Sequence, residues 1–268
     1  MRLLLTNDDG FNAPGLKTLY QVLAADGRHE ICIVAPDTQR SATGRSITVF
    51  EPLFLTRCPL LNGDSGFLIN GTPTDCAKLA LQGDILPFWP DLAISGINHG
   101  PNLGNDVFYS GTVAAAMECA MLGVNAIAVS LATHGQIGEP DFFPAATFLC
   151  NVLLHDPVLS AYPGLLNINF PATPAETWGE LEVTRLGKSV YMNSFENRTT
   201  PFGREYYWIK GAVVKEEAEG TDQEAISKNR IAVTPLRGDL TDYAELENLK
   251  RKLKESPTFE PAKGKTTL

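Results

Sequence analysis

The stretch Leu3-Leu4-Leu5-Thr6-Asn7-Asp8-Asp9-Gly10 constrains this chain more than any other. Three consecutive leucines leave no polar alternation, so the segment suits a strand buried on both faces, as in a parallel sheet. It runs directly into two adjacent carboxylates and a glycine, which is a turn signal. Ligands of open α/β sheets bind just beyond the carboxyl ends of such strands. Asp8 and Asp9 would stand there. Neighbouring carboxylates repel each other, so one keeps its proton unless a cation neutralises the pair. A divalent ion with oxygen ligands, Mg²⁺ or Mn²⁺, answers that need. Taken alone, the tripeptide reads more plainly as a surface turn, so the rest of the chain has to decide.

Ala13-Pro14-Gly15 predicts a helix start, and Leu16, Leu19, Tyr20 and Leu23 then recur at helical spacing. Glu30 to Ala35 predicts a second buried strand, closed by Pro36. Strand, helix and strand in that order argue for a parallel sheet. The polar segment 37–46 follows, on the same rim as the aspartates, and it can offer hydroxyls and arginines to a metal-bound phosphate. Ile47 to Leu55 and Gly66 to Asn70 read as short strands, a candidate hairpin. Thr72-Pro73-Thr74-Asp75 is a capping signature for a helix running through Leu81, which makes Asp75 a cap rather than a catalyst.

Pro90 to Gly100 reads as another buried strand entering a glycine-rich loop, and Asn98 emerges where a strand end delivers an oxygen ligand. His99 has no second histidine at ligand spacing and reads as a bystander. Ser110-Gly111-Thr112 opens an alanine-rich helix that closes at Gly123. Its first turn combines free backbone amides, a positive dipole end, a glycine and two hydroxyls, all of which suit a phosphate. Such caps are also common without any ligand. Val124 to Ser130 and Gly164 to Phe170 predict further strands, with a helix from Pro144 to His155 between them. The pattern changes at Leu181. Arg185 to Val190 and Glu205 to Lys210 flank the polar stretch 193–203 and read as strands or a long hairpin arm. Lys215 to Glu224 reads as charged and exposed, Ile231 to Pro235 as a strand, and Asp242 to Glu255 as a charged helix. The tail from Ser256 is expected to be flexible.

At 268 residues the chain can bury a substantial core. Its net charge of −9 and pI near 5.0 give no electrostatic reason to bind nucleic acid polymers or anionic membranes. Any phosphate must then be held locally, by a metal or by backbone amides. The five cysteines are scattered and include no Cys-x-x-Cys pair, so neither a zinc ribbon nor a disulfide framework is indicated. The sequence opens on a strand rather than a signal peptide, and no apolar run reaches membrane-spanning length. The expectation is a soluble cytoplasmic protein.

Several stretches, taken together, resemble the SurE-type survival proteins, metal-dependent 5'/3'-nucleotidases. They are Asn7-Asp8-Asp9-Gly10, Ala35-Pro36-Asp37 with Arg40-Ser41, and Gly71-Thr72-Pro73-Thr74-Asp75-Cys76. Two longer ones run from Ser95 to Gly104 and from Tyr109 to Glu118, and shorter matches at Gly203-Arg204, Gly220-Thr221-Asp222 and Val233-Thr234-Pro235-Leu236 carry the similarity to about residue 240. The resemblance implies one divalent cation per subunit, Mg²⁺ or Mn²⁺, held by Asp8, Asp9, Ser41 and Asn98, with Asp8 and Asp9 as the catalytic pair. The substrate phosphate is expected against Asn98, Asn102, Ser110, Gly111 and Thr112. The implied activity is hydrolysis of nucleoside monophosphates, in some members with action on short polyphosphate. The implied fold is an α/β, Rossmann-like parallel-sheet core, here 1–180, with a smaller β-rich and helical extension, here 181–268. That extension exchanges between subunits, giving a homodimer or homotetramer. Thr200-Pro201-Phe202 and Asn229-Arg230 depart from the family's pattern, and both fall in the C-terminal part, where they bear on substrate range and assembly.

A receiver-like signalling domain is the competing class, because it too carries an acidic pair after its first strand and binds Mg²⁺. It needs a lone phosphoacceptor aspartate after the third strand and a strand-end lysine later. This chain has glycine and asparagine after Ala93-Ile94-Ser95, and no lysine follows Val129-Ser130.

Overall fold

Leu3, Leu4 and Leu5 are fully buried in β1 (Arg2–Thr6), in the interior of a nine-stranded sheet. Leu3 and Leu5 join one apolar layer and Leu4 the other, the period-two consequence of a strand covered on both sides. Each such burial contributes about 2 kcal/mol. The computed structural model describes residues 1–133, 140–192, 195–210, 212–216 and 218–256.

The chain continues through α1 (Pro14–Asp26), β2 (Glu30–Pro36), β3 (Leu55–Pro59), β4 (Ser65–Ile69), α2 (Pro73–Gln82) and β5 (Leu92–His99). It goes on through α3 (Gly111–Met121), β6 (Ala126–Ala132), α4 (Phe143–Phe148), α5 (Pro157–Ser160) and β7 (Leu165–Pro171). Next come β8 (Leu181–Val183), β9 (Lys188–Met192), β10 (Phe195–Thr199), β11 (Glu205–Ile209) and β12 (Ala212–Glu216). The last elements are α6 (Asp222–Ser227), β13 (Ile231–Leu236) and α7 (Tyr243–Glu255). The large sheet has the order β3-β4-β2-β1-β5-β6-β7-β13-β8. Every neighbouring pair from β4 to β7 is parallel. Leu16, Leu19, Tyr20 and Leu23 of α1 pack on one face, together with residues of α4. Residues of α2 and α3 pack on the other.

β1 lies between β2 and β5: the chain leaves β1 through α1 toward β2, then returns from β4 through α2 to β5 on the other side. The crevice beyond the carboxyl ends of those strands is the switch point at which such sheets bind ligands. Two glycines let the chain pack closely below it. A Cβ on Gly15 would stand 2.0 Å from Ile97 O, and one on Gly96, at φ +139°, would stand 2.3 Å from Val129 O.

Several expectations shift. The segment from Ile47 to Phe54 is not a strand; the hairpin forms from β3 and β4 instead. Side chains take the place of a ladder there, since Asp75 receives Thr48 N and Asn70 receives Phe54 N. The helix expected to reach His155 stops at Phe148 and widens into a π-helical turn, Leu149–Leu153. The expected boundary at residue 180 falls inside the sheet, which β13 extends antiparallel to β7 and β8 extends parallel to β13. The stretch expected to be charged and exposed contains Thr221 and Asp222, both fully buried. The reason is that Asp222 accepts backbone N–H groups from Gly104 and Gly187.

β9 pairs with β12 and β10 with β11 in nested register, so the expected hairpin arm is present, turning through Thr200–Arg204. The backbone divides into two units, Met1–Leu236 and Arg237–Leu268. Within the second, α7 is capped by Asp242, which accepts Glu245 N. The tail expected to be flexible lies, from residue 257 onward, outside the described residues.

Candidate active site

Asp8 and Asp9 follow β1 directly, and Gly10, at φ +102°, turns the chain away from them. Asn7 locks that turn, donating from Nδ2 to Gly10 O at 2.9 Å and accepting Gly10 N at 3.2 Å. Asp8 is buried, and its Oδ1 accepts a hydrogen bond from the Thr112 hydroxyl. A Cβ on Gly111 would stand 2.6 Å from Asp8 Cβ, so only glycine lets the first turn of α3 close onto this carboxylate. Burial pushes Asp8 up to about 6; the Thr112 hydroxyl opposes that rise and the Asp9 charge adds to it. Burial also raises Asp9, against the hydrogen bond from the His99 amide.

Asp9 is held from two other strand ends. His99 N donates to its Oδ2 at 3.1 Å, and Gln39 Nε2 donates to its Oδ1 at 3.3 Å. The same Gln39 nitrogen reaches Ser41 Oγ at 2.9 Å, so one amide joins Asp9 to Ser41. Asn98 precedes His99, and its Nδ2 donates to Gly100 O at 2.8 Å, which leaves the amide oxygen as the atom it offers. Gln39 thus joins Asp9 to Ser41, Asp8 adjoins Asp9 along the chain, and Asn98 adjoins His99, whose amide holds Asp9. Two carboxylates, a hydroxyl and an amide oxygen fit a hard divalent cation. A buried, poorly solvated Asp8 beside a second carboxylate gains most from one.

Ser110 caps α3 by accepting Val113 N at 3.0 Å, and Gly111 and Thr112 begin the helix. The N-terminal end of this helix, with its positive dipole and the Gly111 amide, is an anion-binding end. Asn102 is placed differently from these residues. Its Nδ2 donates to Ser130 Oγ at 2.8 Å, its N donates to Asn169 Oδ1 at 2.8 Å, and its carbonyl receives Asn167 and Asn169. Asn102 therefore anchors the loop after β5, to β6 through its buried side chain and to β7 through its backbone.

The loop after β2 is fastened by residues whose role the sequence pattern hides. Arg40 N donates to Asp8 O at 2.7 Å. Arg45 donates to the buried Glu118 from Nε at 3.1 Å and Nη2 at 2.8 Å, and Lys78 Nζ reaches the same carboxylate at 3.3 Å. Asp75 closes the expected capping box with Thr72 and also receives Thr48 N at 2.9 Å and Thr48 Oγ1 at 2.6 Å. Gln39 had no motif to mark it, and Glu118, though it closes a matched stretch, carried no sign of its ion pairs. Asp222 follows Thr221, whose side chain caps Glu224 N, and this Thr-x-x-Glu signature was readable.

The sequence pattern of the family described as survival protein SurE matches residues 3–193. A 5'-nucleotidase SurE of Desulfitobacterium hafniense is 54% identical over 253 residues, covering 94% of this chain and 97% of that protein. A 5'-nucleotidase SurE of Carboxydothermus hydrogenoformans is 44% identical over 93% of this chain and 95% of its own length. The crystal structure of the SurE protein from Aquifex aeolicus superposes with a TM-score of 0.74 at 35% identity, covering 94% of this chain and all of that one. This chain belongs to the SurE survival protein family.

Proposed function

We infer that this chain is a nucleotidase, a phosphoric monoester hydrolase that converts nucleoside monophosphates to nucleoside and phosphate. The observation that carries the reading is the junction of Asp8 with Gly111 and Thr112. It sets the carboxylate end of β1 against the anion-binding end of α3, so cation ligands and phosphate ligands converge. The matched relatives named as 5'-nucleotidases support the same class.

In this reading Asp8, Asp9, Ser41 and Asn98 hold one Mg²⁺ or Mn²⁺, and Asp8 and Asp9 are the catalytic pair. When bound, the cation supplies Lewis acidity at the phosphoryl group and an acidified water for attack. The protein's own groups do the positioning. The N-terminal end of α3, through the Gly111 amide and the Ser110 hydroxyl, binds the equatorial phosphate oxygens, and Gly111 permits the close approach. Thr112 orients Asp8, and the His99 amide with Gln39 orients Asp9. With both aspartates serving the cation, neither is free to carry a covalent phosphoryl group. No feature of the site favours the receiver-like alternative.

The exposed β10–β11 ribbon supports a homodimer or homotetramer built through the arm. None of the helices in the described residues is long and apolar enough to cross a membrane. The five cysteines are free thiols, which fits a reducing compartment such as the cytoplasm.

The test is a panel of nucleoside monophosphates and simple sugar phosphates, assayed with Mg²⁺, with Mn²⁺ and with chelator. Turnover of nucleotides that stops on chelation and in a folded Asp9→Asn variant is expected. Turnover of sugar phosphates alone, or full activity in Asp9→Asn, overturns the reading.

A further inference from the structure

A second group of ligand-type side chains lies at the amino end of β2, where α1 ends. Asp26 is the last residue of α1, His29 immediately precedes β2, and Cys150 sits in the π-helical turn after α4. One carboxylate oxygen, one imidazole nitrogen and the thiol sulfur all lie within 4.8 Å of one another. The His29 side chain is only 4% exposed, and neither ring nitrogen has a hydrogen-bond partner among the described residues. Nε2 lies 3.2 Å from Asp26 Oδ2. Buried imidazole nitrogens are ordinarily bonded. Here both are left over.

We propose that Asp26, His29 and Cys150 form a zinc site, separate from the catalytic rim. A mixed oxygen, nitrogen and sulfur donor set disfavours Mg²⁺ and Ca²⁺ and suits Zn²⁺. The protonation states are close to what binding needs. Burial, reinforced by the chain's N-terminal ammonium, lowers His29, so its ring is neutral and has a lone pair to give. Hydrogen bonding to Arg28 keeps Asp26 ionised. Arg28 donates to Asp26 from Nε at 2.7 Å and from Nη2 at 2.5 Å, and as an outer partner it fixes the carboxylate while Oδ2 keeps a further lone pair for the ion. Burial raises the Cys150 thiol, so this proton is the one binding must release. Zinc then gains bonds to oxygen, nitrogen and sulfur, and the thiol proton passes to solvent. The π-turn is the local device that aims Cys150 at α1, a use to which such turns are often put. Water completes a four-coordinate ion.

The test uses the full chain, stripped with chelator and titrated with Co²⁺ as a spectroscopic stand-in for zinc. A thiolate-to-cobalt charge-transfer band in the near ultraviolet is expected, saturating at one ion per chain. The catalytic rim, with oxygen donors only, contributes no such band. Cys150→Ser and His29→Gln should each lose the band and about one equivalent of zinc by elemental analysis, while nucleotidase activity persists. Absence of the band in the wild type overturns the proposal. So does a band that survives Cys150→Ser, because another cysteine then owns it. Should Cys150→Ser fail to fold, His29→Gln decides alone, and an unchanged band and zinc content in that variant refute the site.

Discussion

The Thr112 hydroxyl donates to Asp8 Oδ1 and thereby ties the first turn of α3 to the carboxyl end of β1. Both side chains are buried, so the bond is shielded from water, and its loss would remove one of the hydrogen bonds that hold the carboxylate. Thr112→Val keeps the shape and removes only the donor. The expected cost is about 1–3 kcal/mol of stability. Activity should fall about 10–100-fold, as it does when an outer partner of a metal ligand is removed. Thr112→Ser should recover most of the loss, and the concentration of Mn²⁺ needed for half-maximal rate should rise in Val but not in Ser. A Val variant with wild-type metal dependence would show that the hydroxyl does not position Asp8.

Gly111 makes a different demand on the same junction. A Cβ there would meet Asp8 Cβ at 2.6 Å and Oδ2 at 2.9 Å, so either the helix or the carboxylate must move. Gly111→Ala should therefore reduce kcat at least about tenfold, while overpacking costs about 1–3 kcal/mol. Thermal unfolding and steady-state kinetics on one preparation separate the two effects. A stable variant with unchanged kcat would mean the closeness of α3 to Asp8 is not needed for the chemistry.

How far this site was readable in the sequence depends on how local each contact is. The buried leucines, the paired aspartates and the Ser-Gly-Thr helix start announce themselves within a few residues, because period, cap and turn chemistry are local. Thr72 to Asp75 was legible as a cap for the same reason. Glu118 was not, since a glutamate in an alanine-rich helix looks solvent-facing until Arg45 and Lys78 arrive from distant parts of the chain. Gln39 was equally hidden between Asp9 and Ser41. The chain from Ile47 to Phe54 misled because its apolar residues suggested a strand, whereas Val49 and Phe50 are exposed and the backbone bonds go to side chains. The resemblance implied Asn102 at the phosphate, and only the fold shows its bonds to Ser130 and Asn169.

Asp75 predicts a pH dependence. Burial acts to raise it, but the Thr48 hydroxyl, Thr48 N and Thr72 N outweigh that and hold the carboxyl below its ordinary value. A depressed folded value contributes stability above the unfolded value of about 3.9, and the contribution is lost as pH falls through the lower folded value. Asp75→Asn should cost about 1–2 kcal/mol near neutrality through the lost cap and loop contacts. The gap to wild type should narrow below about pH 4. Urea midpoints of both proteins across that range provide the check, and a gap that stays constant with pH would assign the stabilisation elsewhere.

The hairpin arm bears on assembly. Every described residue of β10 from Phe195 to Thr199 and of β11 from Glu205 to Ile209 is exposed or only partly covered. Trp208 is 59% and Ile209 83% exposed. A two-stranded ribbon is marginally stable alone in water, and an apolar one needs cover. A second copy of this chain is the occupant expected from a symmetric exchange. The base of the arm also touches the loop after β5: a Cβ on Gly104 would stand 2.7 Å from Gly187 O, and Asp222 bonds the backbone of both glycines. Displacing the arm should therefore disturb the loop that Asn102 anchors. Light scattering of the wild type is expected to give a dimer or tetramer at micromolar concentration. Trp208→Glu combined with Ile209→Lys should yield a smaller species with activity reduced about tenfold or more, because hot-spot apolar contacts carry most of an interface's energy. A fully active wild-type monomer would remove the arm from any role in assembly, and a dissociated yet fully active double variant would separate assembly from the chemistry.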